Sequence, residues 1–247
     1  MYITTRGLVI REVNYKEADK ILTVLTDTEG KLTVSARGAR RKGCRYSAAT
    51  QLLSFSEMTL FGNRGRWSLN EAETREQFLG LREDIVKLAL GSYMAEVLEA
   101  VSAEDMPDPQ VLQCGLNSLY ALSSGLCPPE QVKAVFELRL MCLSGYEPDV
   151  SACCVCGKTE PVEPVLNIEE GGIHCRRCAM RGERATAQLC SDSLAAMRHI
   201  VQAPAKRIFS YSLTGEAAER LSAACEKYML YHTGRGYGSL DYYKGLI

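Results

Sequence analysis

Four cysteines in the second half of the chain have the spacing of a metal site. They form two CxxC pairs separated by eighteen residues: Cys153, Cys156, Cys175 and Cys178. A CxxC turn places two thiolates on one side of a knuckle, and two facing knuckles complete a tetrahedral Zn²⁺ shell with sulfur at about 2.3 Å. Four protein ligands leave no position for water or substrate, so we expect structural zinc. A hydrolase that uses zinc as its cofactor would need an open position.

Other interpretations of these cysteines have less support. The chain has 11 cysteines, an odd number, and no apolar run follows Met1, which argues against a secreted disulfide framework. A thioredoxin-like redox site would need one CxxC beside a βαβ unit, whereas two pairs occur here. A degenerate, empty site is the alternative to zinc. The spacing favours Cys153 and Cys156 over the neighbouring Cys154, and we expect His174 to be a bystander.

A basic stretch in the first third of the chain is the second candidate site. The formal net charge is only -1, but residues 1–80 hold 13 basic and 9 acidic side chains, whereas residues 81–150 hold 4 and 11. Residues 30–56 contain six basic residues and no acidic one: Lys31, Arg37, Arg40, Arg41, Lys42 and Arg45. Such a cluster predicts binding to the phosphates of a polyanion, with a solvated charge run as the alternative.

Motifs of nucleotide-binding and catalytic sites are missing from the sequence. The nearest approach to a P-loop, at residues 157–159, has Ala152 in place of the first glycine, and the Gly-rich residues 234–238 follow a helical pattern. None of the three histidines has a catalytic-motif spacing. No apolar run reaches the roughly 18 residues that a membrane helix needs. We therefore expect a cytoplasmic protein that is not an enzyme and binds neither nucleotide nor membrane.

The first eighty residues have the two-residue period of β-strands. Strands are predicted at 7–10, 20–25, 32–36, 57–61 and 66–69, with turns at Gly30 and at 62–65. Five short strands with a long excursion between the third and fourth predict a small Greek-key barrel of the OB type. The excursion carries most of the basic cluster. Tyr46, Phe61 and Trp67 are candidates for base stacking, although aromatic residues on so small a barrel belong more often to the core.

From residue 81 onward the period is that of helices. Helical patterns follow at 85–101, 112–122, 132–143, from 191, and at 215–232, and a Gly-rich tail succeeds the last one. The fold class is thus α+β multidomain. It comprises an N-terminal OB-type barrel (1–80), a helical domain in two parts (81–150 and 185–247), and a zinc-ribbon insertion (151–184) between them. The acidic 81–150 segment is a poor DNA surface.

Eight short stretches resemble the RecO family of bacterial recombination mediators. They are GLVIR (7–11), EADKI (17–21), ARGARRK (36–42), LLSF (52–55), SYMAEV (92–97), FELRL (136–140), GYEP (145–148) and GGIHC (171–175). The resemblance extends over nearly the whole chain. It implies binding of single- and double-stranded DNA, annealing of complementary strands, and work with RecR that helps load RecA onto DNA coated by single-strand-binding protein. It also implies a cytoplasmic, nucleoid-associated protein.

The same resemblance implies a pocket in the helical domain for the acidic C-terminal tail of single-strand-binding protein. Lys133 and Arg139, on a predicted helix, are the candidates for its positive edge. An alternative function from a different class is a zinc-ribbon adaptor, associated with transcription or the ribosome, whose OB domain binds RNA.

Overall fold

The chain folds into two compact units. A computed structural model describes residues 1–63, 65–179 and 185–247. The first unit is Met1–Ser124 with Tyr237–Ile247, and the second is Gly125–Gly236. The predicted helical segment 81–150 therefore contributes helices to both units. Within the described ranges, no helix has both the length and the apolar character required to cross a membrane.

A closed five-stranded barrel forms the first part of the first unit. Its strands are β1 (Tyr2–Tyr15), β2 (Asp19–Thr26), β3 (Lys31–Ala36), β4 (Phe55–Asn63) and β5 (Arg66–Glu76), in the order β1-β2-β3-β5-β4, with β1 also paired to β4. Only the pairing of β3 with β5 is parallel in this barrel. The predicted barrel is confirmed, and each strand extends beyond its predicted bounds. Arg64, in the predicted β4–β5 turn, lies outside the described residues.

Alternating side chains of the strands fill the barrel. The buried cluster consists of Val9, Leu22, Val24, Leu32, Val34, Ala36, Ala39, Met58, Leu60 and Leu69. Nearly all of these residues belong to strands, which follows from the two-residue alternation of inward and outward side chains. Ala39 is the exception, because it comes from the excursion between β3 and β4. The apolar methyl group of this residue packs the basic excursion onto the barrel.

In the described part of the chain, six α-helices follow the barrel. They are α1 (Ile85–Val101), α2 (Pro109–Ser124), α3 (Pro129–Leu143), α4 (Ser191–Gln202), α5 (Gly215–Thr233) and α6 (Gly238–Lys244). The predicted bounds of α1 to α5 match to within three residues where the pattern gave a bound, and α2 and α3 each begin three residues earlier than predicted. Asp84 caps α1 by accepting hydrogen bonds from the backbone of its first turn. Helices α1, α2 and α6 belong to the first unit, and α3 to α5 belong to the second.

Helix α6 was not anticipated by the pattern, which ends in a Gly-rich tail. Its two buried side chains, Leu240 and Tyr243, lie three residues apart and form one apolar face. Ser239 donates hydrogen bonds from both its backbone nitrogen and its hydroxyl to the Glu96 carboxylate in α1. The end of the chain is thus part of the first unit.

A small second sheet lies in the second unit. Its strands are β6 (Asp149–Cys153), β7 (Pro164–Asn167), β8 (Gly172–Cys175) and β9 (Thr186–Gln188), in the order β6-β8-β7-β9. The turn between β7 and β8 contains Gly171 with φ +69°, as the Gly-containing stretch indicates. Residues 180–184, at the end of the predicted ribbon, lie outside the described residues.

Candidate nucleic-acid interface and metal centre

The backbone of the basic loop, which we define as residues 37–45, is fixed to the β1–β2 turn. Gly38 donates a hydrogen bond from its nitrogen to Asp19 Oδ1 at 2.7 Å, and the Arg40 nitrogen donates to Ala18 O at 2.9 Å. Gly38 has φ +68°, a conformation that glycine adopts at little cost. With Ala39 buried in the barrel, these bonds hold the loop at a defined place on the barrel surface.

The cations of the basic loop point into solvent. Its five charged residues are exposed: Arg37, Arg40, Arg41, Lys42 and Arg45. Within the described part of the chain, none of them forms an ion pair with a carboxylate. Arg40 donates instead to the Glu17 carbonyl at 3.2 Å. These five positive charges outnumber the one carboxylate, that of Asp19, which bonds the loop backbone, and the surplus raises the potential over this surface, which favours an anionic ligand.

Lys31 is separate from this cluster. Its Nζ donates a hydrogen bond at 2.8 Å to Glu99 O near the end of α1, and its side chain is half-buried. The lysine therefore compensates carbonyls at a helix C-terminus, where a cation is favourable. The charge pattern placed Lys31 with the loop residues, and the structure does not bring it to them.

The three aromatic candidates differ in their surroundings. Tyr46 and Trp67 pack against the barrel core. The Tyr46 hydroxyl donates to Arg37 O at 2.6 Å, and burial raises its pKa, so the donating proton is retained. Phe61, by contrast, is 37% exposed and lies beside Tyr2, which is 63% exposed. Sequence reasoning missed Tyr2 because the first predicted strand began at Gly7.

The four CxxC cysteines form a compact cluster in the second unit. Their sulfur atoms all lie within 4.8 Å of one another: Cys153, Cys156, Cys175 and Cys178. The Cys175 Sγ is 3.8 Å from Cys153 Sγ and 3.7 Å from Cys156 Sγ. A tetrahedron with zinc–sulfur bonds of about 2.3 Å has edges of about 3.8 Å. These spacings fit a tetrahedral metal ion and exceed the roughly 2.05 Å of a disulfide.

Backbone hydrogen bonds shape both knuckles. Cys153 O accepts from Gly157 N at 2.8 Å, with Gly157 at φ +71°, and Cys175 O accepts from Cys178 N at 2.8 Å. Burial disfavours the Cys153 thiolate, but backbone N–H groups of Cys156, Cys175 and Val155 stabilise it and lower its pKa to about 6. Hydrogen bonds with Cys175 and Cys156 instead raise the pKa of Cys178 to about 12, so the metal-free sulfurs share protons. A thiolate at neutral pH is the form that binds metal.

Cys154 and His174 do not belong to the cluster. Cys154 is exposed, and its Sγ lies next to Gly172, where a Cβ would come within 2.7 Å of that sulfur. His174 is 5% exposed, and the four-sulfur group found among the described residues does not include it. The structure thus brings together the same four ligands that the spacing favours.

Arg198 of α4 connects the helical part of the second unit to the first knuckle. Its guanidinium donates to Val150 O at 2.7 Å, to Ser151 O at 3.1 Å and to Thr159 O. It also forms a salt bridge with Glu160 at 2.9 Å. Because these acceptors lie on both sides of Cys153 and Cys156, one side chain holds the two arms of the knuckle together. Sequence periodicity gave no signal for this role.

Lys133 and Arg139 are not free cations at an exposed edge. Lys133 is 3% exposed, and its Nζ lies 3.0 Å from Glu137 Oε1 and 2.8 Å from Glu226 Oε2. Arg139 is half-buried and donates to Val201 O at 2.8 Å and Ile200 O at 3.3 Å. The periodicity placed both residues on a helix but could not reveal the acceptors in later helices that compensate them, Glu226 for Lys133 and two backbone carbonyls for Arg139. Lys133 offers no surface to a partner's tail.

Comparison with known proteins agrees with the fold. The family described as "Recombination protein O N terminal" matches residues 1–78, and "Recombination protein O C terminal" matches residues 82–241. A "DNA repair protein RecO" of Acetivibrio thermocellus is 33% identical over 99% of this chain and 97% of its own length. A protein of the same name from Symbiobacterium thermophilum is 35% identical over 96% of this chain and 94% of its own length. The chain therefore belongs to the RecO family of DNA repair proteins.

Proposed function

We propose that the protein is a recombination mediator that binds single- and double-stranded DNA without sequence specificity and anneals complementary strands. With RecR, it helps load RecA onto DNA coated by single-strand-binding protein. Membership in a family of DNA repair proteins supports the repair role. The observation that carries the proposal is the basic loop, whose five exposed cations have no carboxylate partner among the described residues.

The loop binds phosphates rather than base edges. Arginine and lysine on a surface loop contact the backbone of any strand, so affinity depends on charge and salt and little on sequence. If four of the five cations meet phosphates, the logarithm of single-strand affinity falls with the logarithm of salt concentration at a slope of about -3.

Annealing follows from the same electrostatics. Two complementary strands repel each other through their phosphates, and a cationic surface that neutralises part of that charge lowers the barrier to pairing. No covalent bond is made or broken in annealing, so the activity needs no general acid, base or nucleophile. The four-sulfur site contributes structure to the second unit, because four protein ligands fill a tetrahedral shell.

The decisive experiment removes the loop's charge. The variant Arg40→Gln/Arg41→Gln/Lys42→Gln is compared with Arg75→Gln, an exposed barrel arginine that forms ion pairs with Glu57 and Glu73. Fluorescence anisotropy measures affinity for a single strand at several salt concentrations. We expect the loop variant to lose about two units of salt slope, from about 0.7 per contact. Arg75→Gln keeps the slope of the unmodified protein.

Annealing is measured in parallel with naked strands and with strands coated by single-strand-binding protein, with and without RecR. We expect the loop variant to lose annealing on both substrates, and RecR to stimulate RecA loading only with the unmodified protein. An unchanged salt slope in the loop variant contradicts the proposal. A matched RNA strand bound more tightly than DNA, without annealing, would favour the RNA-binding adaptor.

A further inference from the structure

Tyr2 and Phe61 form an exposed aromatic pair on the outside of the barrel. Tyr2 begins β1 and Phe61 lies opposite it in β4, with ring centroids 5.0 Å apart and planes inclined by 48°. They are 63% and 37% exposed, in contrast to Tyr46 and Trp67, which pack against the barrel core. Packing of the barrel does not require two adjacent aromatic rings on its outer surface. We call this pair the aromatic shelf.

The aromatic shelf is the first part of one row across four strands. Tyr2 pairs with Phe61, Phe61 with Ser68 of β5, and Ser68 with Ser35 of β3. Neighbouring strands lie about 4.8 Å apart, so the row extends about 14 Å around the barrel. Arg37 lies two residues beyond Ser35. The row thus leads from the aromatic rings to the first cation of the basic loop.

A cleft lies along this row. It has a volume of about 440 Å³, and its lining includes Tyr2, Phe61, Arg37, Arg66, Asn63 and Asn70. Two guanidinium groups line it, and none of its described lining residues is acidic. Neither arginine forms an ion pair with a described carboxylate. Aromatic faces next to uncompensated arginines are the combination with which proteins bind single-stranded nucleic acid.

We propose that the aromatic shelf is a subsite for unpaired nucleobases, with Arg37 and Arg66 binding the adjoining phosphates. This inference rests on the proposed DNA binding and adds a source of preference for single strands. In a duplex the faces of the bases are covered by their neighbours, so a protein ring can stack on them only after unstacking. A single strand presents those faces at little cost, and every base has one, so the shelf selects strand state without selecting sequence.

Charge favours this ligand over an apolar protein surface. A second copy of the chain, or an apolar peptide, would leave two guanidinium groups facing it without a counterion. A strand supplies both an aromatic face for the rings and a phosphate for each arginine. The ligand is therefore a nucleic-acid single strand.

The test compares three ligands of equal length: oligo(dT), an abasic single strand with the same phosphates, and a duplex. Tyr2→Ala/Phe61→Ala removes both rings, and Tyr2→Phe/Phe61→Tyr keeps them. Tyr15→Ala is the matched control, because Tyr15 is an exposed aromatic residue at the opposite end of β1. Anisotropy titrations give each affinity, and circular dichroism checks that every variant is folded.

We expect the double alanine variant to bind oligo(dT) at least about fivefold more weakly, in line with the loss of base stacking. Its affinities for the abasic strand and the duplex and its salt slope stay unchanged, and Tyr2→Phe/Phe61→Tyr and Tyr15→Ala behave like the unmodified protein. Equal preference for oligo(dT) over the abasic strand before and after the double substitution overturns the inference. The inference is also overturned if the double alanine variant loses self-association in sedimentation while its preference for oligo(dT) over the abasic strand is unchanged. That result would identify a second copy of the chain as the occupant of the shelf.

Failure of the shelf and failure of DNA binding give different results. If the unmodified protein binds none of the three ligands, the proposed function fails. If it binds all three through the basic loop and the double alanine variant keeps its base preference, only the shelf inference fails.

Discussion

Replacing the buried Cys175 of the metal centre, and comparing the result with replacement of the exposed Cys154, tests the structural role of the metal. Cys175 ends β8, and its Sγ lies within 3.8 Å of two other cysteine sulfurs. Cys154 is exposed and lies outside the cluster. The variants Cys175→Ser and Cys154→Ser make the same chemical change near the same small sheet, but only Cys175 belongs to the four-sulfur cluster. Because Cys175 is also the more buried of the two, chelation of the unmodified protein separates loss of the metal from loss of a buried thiol.

The expected magnitude follows from the size of the sheet. Its strands β7, β8 and β9 have four, four and three residues. So small a sheet buries little apolar surface by itself, whereas a structural zinc site contributes on the order of 10 kcal/mol of apparent binding free energy at neutral pH. Whole domains are stable by only about 5–15 kcal/mol. Loss of the metal therefore opens the sheet locally, and its amide hydrogens exchange at rates close to those of an unfolded segment.

Metal analysis and hydrogen exchange measure this outcome. We expect about one zinc per chain in the unmodified protein and in Cys154→Ser, and much less than one in Cys175→Ser. Peptides from residues 149–175 should lose protection in Cys175→Ser and on chelation, while peptides from the barrel strands keep theirs. The reasoning is refuted if Cys175→Ser retains zinc and protection, or if protein purified without chelator carries well under one zinc per chain.

Two further changes test ionisable side chains of the second unit. In Lys133→Ala, Glu137, which is 0% exposed, loses the cation beside it. We therefore expect the free energy of unfolding, measured with urea, to fall by about 3–5 kcal/mol, and the additional change Glu137→Gln to restore part of it. A fall of less than about 1 kcal/mol would show that the fold does not need this ion pair. Burial lowers the pKa of His232 below its usual 6.5, although its ring bonds to Ile168 O, so the folded state favours the neutral ring. The unfolding free energy should therefore fall as pH drops through 6.5, and His232→Gln should flatten that dependence; an identical pH profile in this variant contradicts it.

The positions of the five strands and of the helices were predictable because both depend on local periodicity, but the lengths of the strands were not. The pattern placed the first strand at 7–10, whereas β1 extends over Tyr2–Tyr15. Its outer residues are mostly exposed, and of these only Ile3 and Thr5 turn inward. They are extended because they pair with distant or turn-related partners, as in Tyr2 with Phe61 and Asn14 with Lys20. Helix α6 was missed for a related reason, since Leu240 and Tyr243 form too short an apolar pattern to stand out after a run of glycines.

In the candidate sites, too, the local features were predictable from the sequence and the long-range contacts were not. The spacing of four cysteines and the absence of acids around five cations are properties of the sequence itself, so both clusters were identified in advance. The bonds that hold them are not local. Asp19 fixes Gly38 across nineteen positions, and Arg198 reaches Val150 across forty-eight. For Lys133, the partner Glu137 one turn away was visible in the sequence, but Glu226 in a later helix was not.

The two sites also lie in different compact units, and this separates their roles. The basic loop is held by Asp19, Ala18 and the buried Ala39, all within the first unit. The four-sulfur cluster is held by β6, β8 and Arg198, all within the second. None of the described hydrogen bonds that fix the loop passes through the metal knuckles. If the loop binds phosphates as proposed, we expect that binding to be independent of the metal, so a chelated protein that loses its ribbon should retain the salt slope of DNA binding. If chelation removed both the fold of the ribbon and the salt slope of DNA binding, the metal would have a role beyond its own unit.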